Sequence, residues 1–186
     1  LKLLLEKRVD GLILFYVGGI FNQASIRFLN NVSVPIVLLD RYIPRSRFDF
    51  VVSDNRNGSR ILVEHLVSKG KEKIAFITQK EDATAIKERM DGFLDGVLKC
   101  RTRLHPEYLA CETMPKMENG YECTRRLMNL DDPPQAIVGC TGDVTLGVVK
   151  YLIEHPELEG KITVSGFDDF DFLSFLKIPV TTVAQK

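Results

Sequence analysis

The sequence has no surplus of charge of either sign. Its 186 residues carry 25 basic and 25 acidic side chains, so the chain offers no electrostatic footprint to nucleic acid or to an anionic membrane surface. No apolar run approaches the roughly 20 residues that span a bilayer. The opening stretch LKLLLEKRVDG places acid and base directly after its leucines and lacks a small-residue cleavage site, so it does not read as a secretory signal. The four cysteines (Cys100, Cys111, Cys123 and Cys140) include no CxxC pair. Standing singly in segments that read as strand or helix, they are expected as buried or half-buried free thiols, with a disulfide or a reactive site as the alternatives. That usage points to the reducing cytoplasm.

Catalytic signatures are missing as well. His65, His105 and His155 are scattered, without HExxH or paired-histidine spacing, and Ser165-Gly166 belongs to no GxSxG elbow. Neither Gly18-Gly19 nor the segment GCTG (139–142) matches GxGxxG or GxxxxGK[ST]. An enzyme is therefore not expected, and neither is a cofactor or a bound metal. His65 is expected as a core or partly buried histidine on an apolar helix face.

What the chain does have is alternation. Apolar, β-branched stretches at 9–15 (VDGLILF), 34–39 (VPIVLL), 50–53, 73–78 (KIAFIT), 108–111, 136–140 (AIVGC), 162–167 (ITVSGF) and 181–184 read as strands. Between them, residues 22–29, 57–68, 84–99, 118–130 and 143–155 carry helical spacing, with a short helical turn at 170–176. In the third helix the side expected to be buried is Ile61, Leu62, His65 and Leu66; in the next, Ile86, Met90, Phe93 and Val97 repeat at helical intervals. Strands apolar on both faces, separated by amphipathic helices, predict an α/β protein with parallel sheets covered on both sides. A boundary between two lobes is expected near residues 53–55, because RYIPRSRFDF (41–50) holds no crossover helix and a new strand–helix series begins after it.

In an open parallel sheet, ligands bind beyond the carboxyl ends of the strands. Here those ends carry Asp54-Asn55, Thr141-Gly142-Asp143 and Asp168-Asp169. Each acid also precedes a helical segment, so helix capping is the plain alternative for any one of them. Three such turns on one edge favour a polar cleft. Arg89 borders the buried stripe of its helix, three residues after Ile86 and four before Phe93. From there a guanidinium can offer its planar donor fork over the strand ends; a surface pair with Glu88, Asp82 or Glu81 is the alternative.

Taken in order, RVDGLIL (8–14), VPIVLLDR (34–41), VVSDNRNGSRILVEHLVSKGKEKIAFI (51–77), ERMDGF (88–93), PPQAIVGCTGD (133–143) and ITVSGFDDF…TTVAQ (162–185) resemble the effector-binding domain of the lactose-repressor/galactose-repressor family of bacterial transcription regulators. The resemblance runs over essentially the whole chain. It implies two doubly wound, parallel-sheet lobes of the periplasmic-binding-protein-like type I fold, with residues 1–53 in an incomplete N-terminal lobe, 54–180 in the C-terminal lobe and 181–186 beginning a return crossover. It also implies a homodimer in the cytoplasm, and operator DNA bound only through a helix-turn-helix headpiece that these residues do not include.

By the same resemblance, Arg89 and Asp168 match the family residues that reach the effector. Asp143 matches the acid of the family's Asn-Asp pair, with Gly142 where the asparagine stands and the spacing to Gly147 one residue short. Asp54-Asn55 matches the Asp-Asn of the first crossover. Phe15 or Tyr16, at the end of the first strand, is the candidate to cover the apolar face of a sugar, with a core role as the alternative for Phe15. The function implied is sensing of a small molecule, sugar-like in kind, in an interlobe cleft. The competing reading is a periplasmic sugar-binding protein of an ABC transporter, which shares the fold. Against it stand Gly166-Phe167-Asp168-Asp169 at the last cleft strand and the scattered cysteines.

Overall fold

The computed structural model describes residues 1–17, 22–80, 83–112 and 116–185. Gly18, Gly19, Glu81 and Asp82 lie outside them. Backbone packing divides the chain into two units, Leu1–Ser53 with Glu81–Lys87, and Asp54–Lys80 with Glu88–Lys186.

In the first unit a short helix α1 (Lys2–Glu6) leads to β1 (Leu12–Phe15), α2 (Gln23–Asn30), β2 (Ile36–Leu39) and β3 (Asp49–Val51). The strands are parallel in the order β1-β2-β3, with Leu12 opposite Ile36 and Val37 opposite Asp49. Because successive side chains alternate across the pleat, Leu12, Ile36 and Leu38 face one way. They are buried with Tyr16, Leu29, Val32, Ile43 and Phe48. Ile13, Phe15, Leu39 and Val51 face the other way and are exposed.

The second unit runs α3 (Asn55–Ser68), β4 (Ile74–Ile77), α4 (Thr84–Cys100, whose residues 84–87 belong to the first unit), β5 (Leu109–Ala110), α5 (Lys116–Met128), β6 (Ala136–Gly139), α6 (Gly142–Glu154), β7 (Thr163–Phe167) and β8 (Val180–Val183). One-turn 3-10 segments occupy Pro106–Tyr108 and Pro156–Leu158, and a longer one Asp171–Phe175. The sheet is parallel throughout, in the order β5-β4-β6-β7-β8. Every residue of β4 and β6 is buried, as central strands covered on both faces require. Residues 181–183, expected to begin a return crossover, lie in the edge strand β8 beside β7. The chain lays β5 on one side of β4 and then β6 on the other, so the order reverses between β4 and β6.

The phase of α3 differs from expectation. Gly58, Ser59, Leu62, Val63 and Leu66 are buried, whereas Ile61 and His65 face solvent. An i, i+3, i+4, i+7 stripe beginning at Ser59 sets the buried side, and positions 61 and 65 fall outside it. His65 is therefore a surface residue.

Helices α5 and α6 approach closely through Gly120 and Gly147. A β-carbon on Gly147 would collide with the Met117 carbonyl oxygen, and one on Gly120 with the Val144 carbonyl oxygen. Neither obstacle is a side chain that can swing away. In an exposed helix, glycine-to-alanine gains about 1 kcal/mol. Gly147→Ala is expected to do the reverse and lower stability by about 1–3 kcal/mol through overpacking, read as a fall in the urea midpoint at unchanged slope. A rise would show that the helices can part.

Candidate functional site

A reversal of strand order leaves a crevice at the carboxyl ends of the two strands that flank it, because the following connections diverge. In the second unit those strands are β4 and β6. The residues just beyond them are Thr78 and Gln79 on one side, Cys140, Thr141 and Gly142 on the other. Gln79 is buried, and its Oε1 accepts from Thr141 Oγ1 at 3.4 Å. The Thr141 hydroxyl also accepts from the Val144 amide, capping α6.

Arg89 is the most deeply placed charge at this edge, with 4% of its surface exposed. Its Nε donates to Asn55 Oδ1 at 2.8 Å and its NH1 to the Cys140 carbonyl at 2.8 Å. The guanidinium lies 4.0 Å from the centre of the Phe167 ring. Asn55 is buried too, and its Nδ2 donates to Glu88 Oε2 at 3.2 Å. One cation thus ties the first turn of α3 to the end of β6 and stacks on the last residue of β7.

Asp168 follows that ring. Its φ of +69° is a left-handed conformation that aspartate tolerates better than most residues. The turn aims the carboxylate at the start of α6, where Oδ2 accepts from the Gly142 amide at 3.0 Å; Oδ1 accepts from Gln185 Nε2. Arg89 and Asp168 therefore close on one short turn, Arg89 at Cys140 and Asp168 at Gly142.

The other expected site residues are placed differently. Asp54 caps α3, its side chain accepting from the Asn57 amide at 3.2 Å. Asp143 sits in the first turn of α6 with Lys116 Nζ 3.9 Å away and about half its side chain exposed. In the first unit, Phe15 is 52% exposed with the Arg41 guanidinium 4.9 Å from its ring centre, while Tyr16 is buried in the core. Phe170 was not anticipated. Its ring occupies the space that a β-carbon on Gly142 would need, so no larger residue fits at 142 while the ring stays. The clue in the sequence is the glycine at position 142.

With this geometry in hand, the comparisons with known proteins are specific. Residues 63–186 match the family described as the periplasmic binding protein-like domain. The chain belongs to that family, in its lactose-repressor/galactose-repressor branch. It is 28% identical over 187 aligned residues to an HTH-type transcriptional repressor, PurR, of Haemophilus influenzae, covering all of this chain and 54% of that protein. A regulatory protein of the LacI family from Chloroflexus aggregans superposes with a TM-score of 0.86 at 25% identity, over 99% of this chain and 66% of that one. A sugar-binding transcriptional regulator of the same family from Escherichia coli, solved with phosphate, shares the fold with a TM-score of 0.80 at 23% identity, over 98% of this chain and 66% of that one. The chain spans about half the length of the curated relatives it matches.

All four cysteines are free thiols. Burial pushes the Cys140 and Cys123 thiols up to about 12, in Cys140 against the pull of the nearby Arg89 cation. A thiol whose folded pKa is raised stabilises the fold fully below its unfolded pKa of roughly 8.5. That contribution fades as pH climbs from there through about 12. At pH 8 a thiol-reactive disulfide should therefore label Cys100 and Cys111, which are partly exposed, and reach Cys123 and Cys140 only after denaturation; rapid labelling of all four thiols in the native protein would contradict this burial. Arg89→Met should lower unfolding stability by about 3 kcal/mol, because it strands two buried acceptors; a urea midpoint equal to wild type would show that those bonds contribute nothing net.

Proposed function

We propose that this chain is the effector-binding part of a bacterial transcriptional repressor. It senses a neutral, hydroxyl-bearing small molecule, sugar-like in kind, and through it sets the affinity of the complete protein for operator DNA. The observation that carries the reading is the convergence of Arg89 and Asp168 on the turn between β6 and α6, at the strand-order reversal of the second sheet. The Asp168 carboxylate, with Oδ2 on the Gly142 amide and Oδ1 on Gln185 Nε2, has lone pairs left to accept from ligand hydroxyls, and the Arg89–Asn55 pair fixes the position of the neighbouring polar atoms. Asp143 and Asp54 border this edge, and Phe15 is the aromatic contact we assign in the first unit.

The whole-protein behaviour follows from linkage. A ligand shifts a conformational equilibrium only as far as it prefers one state over the other. The complete protein is a cytoplasmic homodimer that reads two operator half-sites through helix-turn-helix headpieces. The relatives named as HTH-type repressors support this assignment, and so does the neighbour described as a sugar-binding regulator. No helix among the described residues is long and apolar enough to cross a membrane.

The test is operator affinity of the full-length protein, by fluorescence anisotropy, with and without a panel of pentoses, hexoses and nucleosides. At least one compound should shift the affinity about 5- to 150-fold, the usual range of allosteric coupling. Asp168→Ala should reduce that shift at fixed ligand concentration. A panel that leaves operator affinity untouched removes the reading.

A further inference from the structure

A carboxylate reads hydroxyls and nothing else of a ligand. Beside the Asp168 carboxylate the second unit also holds a ring. Phe170 Cε2 and Cζ and Asp168 Oδ2 all border the point where a β-carbon on Gly142 would stand, so ring edge and carboxylate are neighbours around one glycine. The turn that carries them is pinned along its length. The Asp168 amide donates to the Val183 carbonyl at 3.2 Å, Asp169 Oδ1 accepts from Thr182 Oγ1 at 3.0 Å, and the Phe170 carbonyl accepts from the Leu173 amide at 2.9 Å. Phe172 braces one face of Phe170, with ring centres 5.2 Å apart and planes 9° apart. Neither ring is core: Phe170 is half-buried, Phe172 is 43% exposed, and no residue of the segment Asp171–Phe175 is buried. An aromatic face left partly in water beside a fixed acceptor is unfavourable unless something apolar comes to lie on it.

We propose that the other face of Phe170 is the apolar wall of the effector site, and that Phe170 is the residue that selects a closed sugar ring over an open chain. This rests on the function proposed above and names the ligand more narrowly. The effector is a cyclic polyol whose C–H bonds on one side lie against the ring while hydroxyls at its rim donate to Asp168. An alditol carries the same hydroxyls, but it must freeze its carbon chain to offer a flat side, and the lost rotamer freedom counts against binding. Gly142 makes room for this wall, because a side chain at that position would begin inside the ring. Phe172 acts behind it, by holding the angle of Phe170.

Operator affinity of the full-length protein is titrated with D-glucose, D-galactose, D-xylose and D-ribose, each beside its alditol, and with adenosine as a flat base. A sugar should shift the affinity where its alditol does not. Phe170→Ala should raise the half-effective sugar concentration about tenfold, Phe170→Tyr should return it close to wild type, and Leu98→Ala, at an exposed position on α4, should leave it unchanged. Gly142→Ala should raise it too, and adding Gly142→Ala to Phe170→Ala should cost nothing further, since the ring it collides with is gone. Circular dichroism and the urea midpoint show that each variant folds. Phe170→Ala responding at the wild-type concentration overturns the proposal, as does an alditol that works as well as its sugar or a response to adenosine alone. Asp168→Ala in the same assay separates the two readings: a response lost there but intact in Phe170→Ala removes the ring from the site and leaves the repressor standing.

Discussion

A guanidinium taken out of water is tolerated only where its donors find acceptors and its charge finds a polarisable neighbour. Arg89 satisfies both demands with groups from three places in the chain: the Asn55 side chain at the head of α3, the Cys140 carbonyl at the end of β6 and the Phe167 ring at the end of β7. Each partner is needed where it is. The Cys140 carbonyl accepts from Arg89 just where the chain leaves β6 for the turn into α6. Phe167 supplies the electron-rich face of a ring to the cation. Asn55 passes the contact on to Glu88, one residue before Arg89 itself. The carboxyl edge of the second sheet is therefore held together from beneath, and the residues above it inherit fixed positions.

Asp168 performs the complementary task for the helix that starts there. The first amides of α6 have no partners within the helix and carry the positive end of its dipole. Gly142 gives its amide to Asp168, and Thr141 takes the Val144 amide. The helix start is thus already compensated by a carboxylate of the protein. A ligand phosphate brought to this point would meet that carboxylate instead of bare amides. Hydroxyl donors, which a carboxylate accepts, suit the edge better, and this is the physical basis for reading the effector as neutral.

Much of this was legible in the sequence because it is local. Four-residue stretches such as IAFI and AIVG are apolar throughout, and only a central parallel strand buries every member. Asp54 sits three residues before the amide it caps, a spacing visible in the chain. The failures are non-local or depend on phase. Ile61 and His65 lie on the solvent side because Ser59 and Gly58 turn their face of α3 toward the sheet, and neither small residue carries a hydrophobic signal. The Asp168–Gly142 bond spans 26 residues, so the capping alternative for Asp168 pointed to the segment after it, whereas its carboxylate caps the earlier helix α6. Tyr16 and Phe15 are adjacent, and alternation along an extended chain sends one inward and the other out; which is which follows from the register of β1 against β2.

The departure from the family pattern at residue 142 has a physical counterpart that neither position shows alone. By the resemblance drawn from the sequence an asparagine stands there in the family; in this chain the Phe170 ring fills the volume such a side chain would begin in. Restoring asparagine without moving Phe170 would drive its β-carbon into the ring, and removing the ring without replacing the side chain would leave the start of α6 uncovered. In this chain position 142 offers no polar side chain, and the Phe170 ring lies beside it and Asp168 instead. What the edge still offers a ligand is the Asp168 carboxylate, the polar atoms held by Arg89 and the Phe170 face. On the function proposed above, the effector is sorted by its hydroxyls against the Asp168 carboxylate and by an apolar side against the Phe170 ring, with no amide at residue 142.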